Sequence, residues 1–196
     1  ANAITAFMSG LAGVPDEVNR DKPSPVLSPG RVWSSTEQRR YPTQDEVDLY
    51  YGPAGGPLAT AGSCKLPIPF PLAWNTSQRV TKFACHERVA DAFTAIFEDA
   101  VKHYGENEYR RLKLDMFGGC FNNHTMRGGT SKSMHAWGIA IDLDPERNQL
   151  RWDKTRASFA RDEYIPFWNI VVGHGGTPAG YAWGADWMHF QMARLK

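Results

Sequence analysis

The stretch SMHAWGIAID, residues 133–142, decides how this chain of 196 residues is to be interpreted. Its second half has the alternation of a strand, in which successive side chains point to opposite faces. Two isoleucines and Leu143 share one apolar face, and Gly138 and Ala140 share the other with Asp142. We expect the apolar face to pack on the core. The small residues of the other face are predicted to leave an open floor beside Asp142.

Two histidines accompany this carboxylate. His135 lies just before the strand, and the segment DWMHF, residues 186–190, carries His189. Catalytic zinc sites commonly have three nitrogen or oxygen ligands and keep a fourth position for water. The pattern therefore predicts that His135, Asp142 and His189 hold one catalytic Zn²⁺ ion. Asp186 is predicted to act as the general base that takes a proton from the zinc-bound water.

The composition describes an ordinary globular chain. Aliphatic, aromatic and cysteine residues make up 42% of it, which is enough for a sizeable core. With 22 basic and 21 acidic residues and no block of like charge, we expect no nucleic-acid partner. The longest weakly polar run, residues 4–14, is too short to span a membrane. Three widely spaced cysteines without a CxxC pair argue against a disulfide framework.

The organisation of the chain predicts one domain with an extension. The first residues are rich in Pro, Ser, Gly and charge, so we expect an N-terminal extended arm or linker over residues 1–44. The first residue is Ala1 rather than Met, as in a processed or truncated form. The catalytic domain is placed at residues 45–196. Helices and strands mixed without a βαβ rhythm predict an α+β fold, a small antiparallel sheet with flanking helices.

Three segments give more specific predictions. Apolar residues at helical spacing predict a helix over residues 80–104, on which His86 and His103 are exposed or capping residues. The three prolines of KLPIPFPLAW, residues 65–74, predict an extended surface segment or an edge strand. Residues 159–172 have helical apolar spacing, and Pro166 indicates where the regular part of that helix begins.

The two motifs resemble those of a known family. SMHAWGIAID matches the pattern S-x-H-x-x-G-x-A-x-D, and DWMHF matches D/E-x-x-H-F. Together they resemble the zinc peptidases that include D-alanyl-D-alanine carboxypeptidases and dipeptidases and phage L-alanyl-D-glutamate endopeptidases. The similarity is strongest over residues 118–191, where GGCFNNHTMRGGTSKSMHAWGIAIDLDP is similar to the endolysin-like branch. It extends more weakly back to residue 51 and does not cover the first 40 residues.

The resemblance implies a hedgehog/D-Ala-D-Ala peptidase-like fold, with the zinc ligands and the general base at the positions named above. It also implies that an arginine from the loop before the motif stabilises an oxyanion or grips a substrate carboxylate. Arg127 matches that arginine best, and Ser133 matches a serine that helps to bind substrate. Independently of the family, three tryptophans flank the predicted site and are candidate walls of a substrate cleft: Trp137, Trp183 and Trp187. Of these, Trp137 is predicted to bind substrate.

The function that the resemblance implies is that of a hydrolase of the bacterial cell wall. The implied enzyme is a zinc metallopeptidase that acts on peptidoglycan stem peptides, either of the L-Ala-D-Glu endopeptidase type or of the D-Ala-D-Ala carboxypeptidase type. Many exopeptidases of the family have glutamate at the position of Asp186, and the shorter aspartate favours internal cleavage. We expect a monomer that acts on the cell wall, as a phage lysin released from the host cytoplasm or as a periplasmic or secreted enzyme.

Two alternatives stay open on the sequence alone. The first is a non-catalytic, zinc-holding module of the same fold that binds cell wall or a protein partner, as in the related hedgehog signalling domain. An acidic residue at position 186 argues against it, and wall binding without peptide release would favour it. In the second, the carboxylate and the histidines are hydrogen-bonded structural residues without a metal. Metal analysis separates this interpretation from the other two.

Overall fold

Strands and helices alternate irregularly along residues 40–126 and 128–195, the part of the chain that a computed structural model describes. The strands are β1 (Gly62–Leu72), β2 (Asn75–Cys85), β3 (Phe117–Gly119), β4 (Ala140–Leu143), β5 (Thr177–Pro178) and β6 (His189–Gln191). The helices are α1 (Val47–Tyr51), α2 (Ala90–Tyr104), α3 (Glu106–Arg111), α4 (Ile165–Gly173) and α5 (Ala179–Trp183). Short 3-10 helices include Pro57–Thr60 and Met134–Trp137. This mixture agrees with the predicted α+β class.

The strands form one sheet in the order β2-β1-β3-β4-β6-β5. Neighbouring strands are antiparallel except β1 and β3, which run parallel where Leu72 pairs with Phe117. The prediction of a small antiparallel sheet is therefore wrong in size and in this one pairing. The reason is the connection: between β2 and β3 the chain passes through α2 and α3, and such a crossover lets a strand return parallel to an earlier one.

The helix predicted over residues 80–104 begins only at Ala90, because residues 80–85 belong to β2. β2 pairs with β1 through Cys64 and Phe83 and through Gly62 and Cys85. The β-branched and aromatic residues of VTKFAC suit a pleated strand surface. His86, which follows this strand, is fully buried rather than exposed, and its Nε2 donates to the backbone oxygen of Tyr51 at 2.8 Å.

The proline-rich stretch forms most of β1, which lies inside the sheet and not at its edge. The register between β1 and β2 shifts between Lys65 and Phe70, across two of the prolines. On its other side β1 meets β3 at Leu72 alone. Proline removes a ladder hydrogen bond, and it is tolerated here because most of β1 has one regular partner and an irregular register.

Helix α2 supplies the apolar layer behind the candidate site. Phe93 and Phe97 are fully buried, and the ring of Phe93 contacts Phe190 with 6.0 Å between the centroids. Phe190 lies between His189 and Gln191 in β6. Since side chains alternate along a strand, β6 turns its phenyl ring toward the core and its two polar side chains to the opposite face.

The face of β4 that carries Ala140 is closed, which corrects the prediction of an open floor. Ala140 is fully buried. Gly138 has φ +66°, and a Cβ there would lie 2.0 Å from the backbone oxygen of Ala59. Of the residues on this face, Asp142 keeps some exposure, with 22% of its side chain accessible. The small residues therefore allow close backbone packing and do not leave space for a substrate.

The described chain begins in contact with the domain. Tyr41 is buried, and the backbone N–H of Arg194 donates to Pro42. Thr43 and Glu46 form a capping box at the start of the 3-10 helix Gln44–Glu46. The predicted arm up to residue 39 lies outside the described residues, and the boundary at residue 44 stays a prediction.

All three cysteines are free and buried. Among the described helices, none is long and apolar enough to cross a bilayer.

We predict that Gly138→Ala lowers the free energy of unfolding by about 3 kcal/mol or more, because a methyl group adds a backbone clash to the strain of positive φ. Gly184→Ala is the matched control. Gly184 is also left-handed, with φ +83°, and has nothing within 4 Å of the added Cβ, so strain alone is expected to lower that free energy by about 1 kcal/mol. Urea unfolding measures both. Equal losses would show that Gly138 is not closely packed.

Candidate metal centre

The register of β4 and β6 builds the centre. The antiparallel pairing places Asp142 directly opposite His189, so the two side chains project from the same face of the sheet. Asp142 Oδ1 lies 3.0 Å from His189 Nδ1. Residues that are 47 positions apart in the chain therefore meet through a ladder of backbone hydrogen bonds.

His135 enters from the 3-10 helix Met134–Trp137, just before β4. Ser133 caps this turn, and its Oγ accepts a hydrogen bond from the backbone N–H of His135 at 3.3 Å. Gly138, in the left-handed conformation, ends the turn. The turn directs His135 Nε2 toward Asp142 Oδ1 at 3.2 Å. Nδ1 of the same ring lies 2.6 Å from the backbone oxygen of Cys120.

The hydrogen-bond partners determine the tautomers of both imidazoles. A backbone oxygen can only accept, so His135 carries its proton on Nδ1 and turns the lone pair of Nε2 toward Asp142. Gln191 donates its amide nitrogen to the oxygen of Ala193 at 3.1 Å, which leaves its Oε1 facing His189 Nε2 at 3.0 Å. His189 therefore donates from Nε2 and turns the Nδ1 lone pair toward Asp142.

Three acceptors consequently converge without a donor among them. One ligand atom from each of His135, Asp142 and His189 lies within 4.8 Å of the others, and the two rings have centroids 5.0 Å apart. Facing acceptors repel one another unless a cation lies between them. Two imidazole nitrogens and a carboxylate oxygen are a donor set typical of zinc. The cluster is thus suited to hold a metal ion.

The protonation equilibria show the same preference for positive charge. Burial acts to raise the pKa of Asp142, but the two neighbouring imidazoles, His135 foremost, hold it well below its usual range. Burial acts to lower the pKa of His189, yet the hydrogen bond and charge of Asp142 raise it to about 9. Without a metal, a proton supplies the positive charge that the cluster favours.

Asp186 lies beside the cluster and is not one of its three donors. It is 8% exposed, has φ +61°, and its Oδ1 has no hydrogen-bond partner among the described residues. Burial raises the pKa of Asp186 to about 6, and the negative charge of Asp142 adds to this rise, while the charges of His189 and His135 oppose it. An unpartnered buried carboxylate oxygen is costly unless it has a role. Asp186 also lines the same cleft as His135 and His189.

A cleft of about 1010 Å³ opens over the cluster, and His135, Asp186 and His189 line it. Its lining includes His124 and Met126, which precede the motif, and Ser133, the first residue of the motif. Trp183 also lines it and is 40% exposed, with its ring centroid 6.0 Å from that of His189. A segment after β4, which includes Arg151 and Trp152, completes the lining. The cleft is large enough for a peptide-sized ligand.

The remaining predicted site residues occupy different positions. Ser133 lines the cleft as well as capping the turn of His135. Trp137 is outside the cleft lining: its Nε1 donates to Asp48 Oδ1 at 3.1 Å and to the oxygen of Gly52 at 2.9 Å, which supports the turn from behind. Trp187 is likewise buried. Arg127 lies outside the described residues, so its role stays a prediction.

Gln191 is a residue of the site that the sequence reasoning missed. Its side chain is buried, and it orients His189 through the Nε2–Oε1 hydrogen bond. The signal was available, because residues at positions i and i+2 of a strand share a face. The backbone oxygen of Cys120 is the second missed partner, and a backbone acceptor leaves no such signal in a sequence.

The comparisons agree with this geometry. A family model described as D-alanyl-D-alanine carboxypeptidase matches residues 127–192, which are 66 of the 196 residues. Comparison with curated protein sequences and with solved structures gives no significant match. The matched segment contains all three donors and Asp186. The match therefore confirms the resemblance over residues 127–192, which are similar to D-alanyl-D-alanine carboxypeptidases.

Proposed function

We propose that the protein is a zinc metallopeptidase that hydrolyses peptide bonds in peptidoglycan stem peptides. The observation that carries the proposal is the convergence of three acceptors, His135, Asp142 and His189, beside a buried carboxylate with an unpartnered oxygen. The family match over residues 127–192 supports a peptidase. A hedgehog/D-Ala-D-Ala peptidase-like fold for the whole domain is part of the same proposal.

The three donors would hold the zinc ion through His135 Nε2, His189 Nδ1 and a carboxylate oxygen of Asp142. When bound, zinc supplies Lewis acidity, which polarises a carbonyl and lowers the pKa of coordinated water toward about 7. A carboxylate oxygen of Asp186 would accept the proton of the attacking water and pass it to the leaving amine. Cys120 and Gln191 keep the imidazoles in the required tautomers.

The cleft of about 1010 Å³ has room for a peptide segment around the scissile bond. Together with the short side chain of Asp186, this supports internal cleavage of the L-Ala-D-Glu type. The D-Ala-D-Ala carboxypeptidase type is the other form of the same proposal. A monomer acting on the cell wall, as a phage lysin or as a periplasmic or secreted enzyme, fits this substrate.

We predict that Asp186→Asn lowers kcat about 10²- to 10⁴-fold, because the amide cannot accept the proton. Asparagine is nearly isosteric and tolerates the positive φ of this position, so the fold is expected to persist. The measurement is release of new amino termini from purified cell walls by the zinc-loaded protein. A chelator should abolish the release in the unsubstituted protein.

Soluble wall fragments carrying new reducing ends would contradict the peptidase assignment, because those ends come from glycosidic cleavage. Tight binding to walls by the zinc-loaded protein without release of amino termini would favour the non-catalytic module.

We predict one zinc ion per chain, and a loss of zinc affinity greater than 100-fold in each of His135→Ala, Asp142→Ala and His189→Ala. Removing a zinc ligand is expected to lower zinc affinity by more than the roughly 10- to 100-fold that follows from losing a hydrogen-bond partner of a ligand. His103→Ala is the control, since His103 is exposed on α2, outside the cleft lining. Competition with a fluorescent chelator measures the affinities. Stoichiometry far below one would favour the metal-free interpretation.

We predict that Gln191→Leu lowers zinc affinity about 10- to 100-fold, because His189 loses the acceptor that holds its proton on Nε2. Leucine is close in size to glutamine, which keeps the buried side chain packed between β4 and β5. The same chelator competition measures the change, and circular dichroism checks the fold. Unchanged affinity would mean that Gln191 does not orient the ligand.

A further inference from the structure

The segment after β4 gives the cleft a wall that neither the motif nor the family match assigns to a role. Arg151, Trp152 and Arg156 from this segment line the same cleft as His135 and His189. Both arginines are exposed and Trp152 is partly buried. We call these three residues the arginine wall. It brings two guanidinium groups into a cleft that already contains the candidate metal cluster.

The guanidinium groups of the arginine wall are available to a ligand. The Cζ of Arg156 lies 4.4 Å from the centroid of the Trp152 ring, a cation–π arrangement that orients the group and leaves its N–H edges free. Among the described residues, no carboxylate oxygen lies within 4.0 Å of Arg151 or Arg156. The nearby Asp153 instead accepts hydrogen bonds from the backbone N–H and the hydroxyl of Thr155, at 2.9 and 2.6 Å.

The backbone that carries the wall is anchored near the metal ligand Asp142. Asn148 is fully buried, donates to the backbone oxygen of Asp144 at 3.0 Å and accepts from the N–H of Phe159 at 2.7 Å. Asp144 also pairs with Arg147. The segment is thus tied at both ends to the layer that contains β4. A ligand bound at the wall is consequently held at a defined position relative to the cluster.

The charge of the cleft selects an anion. Among the described residues that line it, Asp186 is the one carboxylate, and it lies on the side of the metal cluster. The wall side has Arg151 and Arg156 with apolar neighbours such as Leu150. A planar guanidinium binds a carboxylate through two parallel hydrogen bonds, which adds geometric selectivity to charge attraction.

We propose that Arg151 and Arg156 bind a free carboxylate of the peptide substrate and thereby select acidic peptides. The proposal rests on the proposed peptidase function, because it treats the occupant of the cleft as a peptide. It is separate from the role predicted for Arg127, which precedes the motif in the chain. Stem peptides carry free carboxylates on their side branches and ends, and amidation removes that charge without changing the shape of the chain.

The test uses the zinc-loaded chain of 196 residues with Asp186→Asn, so that binding is measured without turnover. The probes are the tripeptide L-alanyl-γ-D-glutamyl-L-lysine and the same peptide with both carboxylates converted to amides. Isothermal titration calorimetry should show the acidic peptide binding about tenfold or more tightly. Adding Arg151→Gln and Arg156→Gln together should remove that difference. Zinc content and circular dichroism confirm that the variants are folded.

Lys154→Gln is the matched control, because Lys154 is an exposed cation of the same segment that does not line the cleft. It should keep the preference for the acidic peptide. Equal affinity for the two peptides, no binding of either, or a preference that survives the double substitution would overturn the proposal. Hydrolysis is measured separately, as release of new amino termini from purified cell walls by the zinc-loaded protein that keeps Asp186. A protein that prefers the acidic peptide through these arginines but releases no amino termini from walls would refute only the proposed function.

Discussion

The pairing of β4 with β6 is the constraint on which this site depends. Asp142 and His189 lie opposite each other in that pairing, and a shift of one residue would turn one of them to the core face. Apolar neighbours prevent such a shift, because Ile141 and Phe190 on the reverse face are fully buried. The hydrophobic pattern of two short strands therefore determines where a carboxylate and an imidazole meet.

This arrangement brings together buried hydrogen-bond acceptors that repel one another. Asp142 and the lone pairs of two imidazoles occupy a partly dehydrated position, where unpaired polar groups are costly. Hydrogen bonds to Cys120 and Gln191 turn the imidazole protons outward, away from the cluster. The protein thus maintains a position that a cation stabilises. Asp186, with positive φ and an unpartnered oxygen, is a second strained feature of the same site.

The sequence predicted the site more completely than the fold. Strand alternation and a turn before a strand are local properties, and together with the family resemblance they predict the three donors that the structure brings together. The role of Asp186 as general base stays a prediction. The six-stranded order was not predictable in this way, since the parallel contact of β1 with β3 depends on a crossover through α2 and α3. The prolines of β1 suggested an edge, and only the irregular register explains their position inside the sheet.

Side-chain direction and backbone partners account for the other differences. Trp137 follows His135 by two residues, yet a 3-10 turn sends the two side chains apart, and the indole bonds to Asp48 and Gly52. Gly138 is small because the backbone of Ala59 packs directly against it, and Ala140 is small because it is fully buried. Gly138 and Ala59 are 79 residues apart in the chain, so no local sequence pattern predicts their contact. The sequence does not predict the arginine wall, because only the folded chain shows that its residues line the same cleft as His135 and His189.

X-ray absorption spectroscopy at the zinc edge of the loaded protein reports the atoms around the ion, and it therefore tests whether His135, Asp142 and His189 hold it. If they do, the first shell contains nitrogen and oxygen alone at about 2.0–2.1 Å, with outer scattering from two imidazoles. Cys120, whose backbone oxygen accepts from His135, also has a buried thiol that could compete as a ligand. A sulfur shell near 2.3 Å, or a shell without imidazole scattering, would show that these three side chains do not hold the zinc ion.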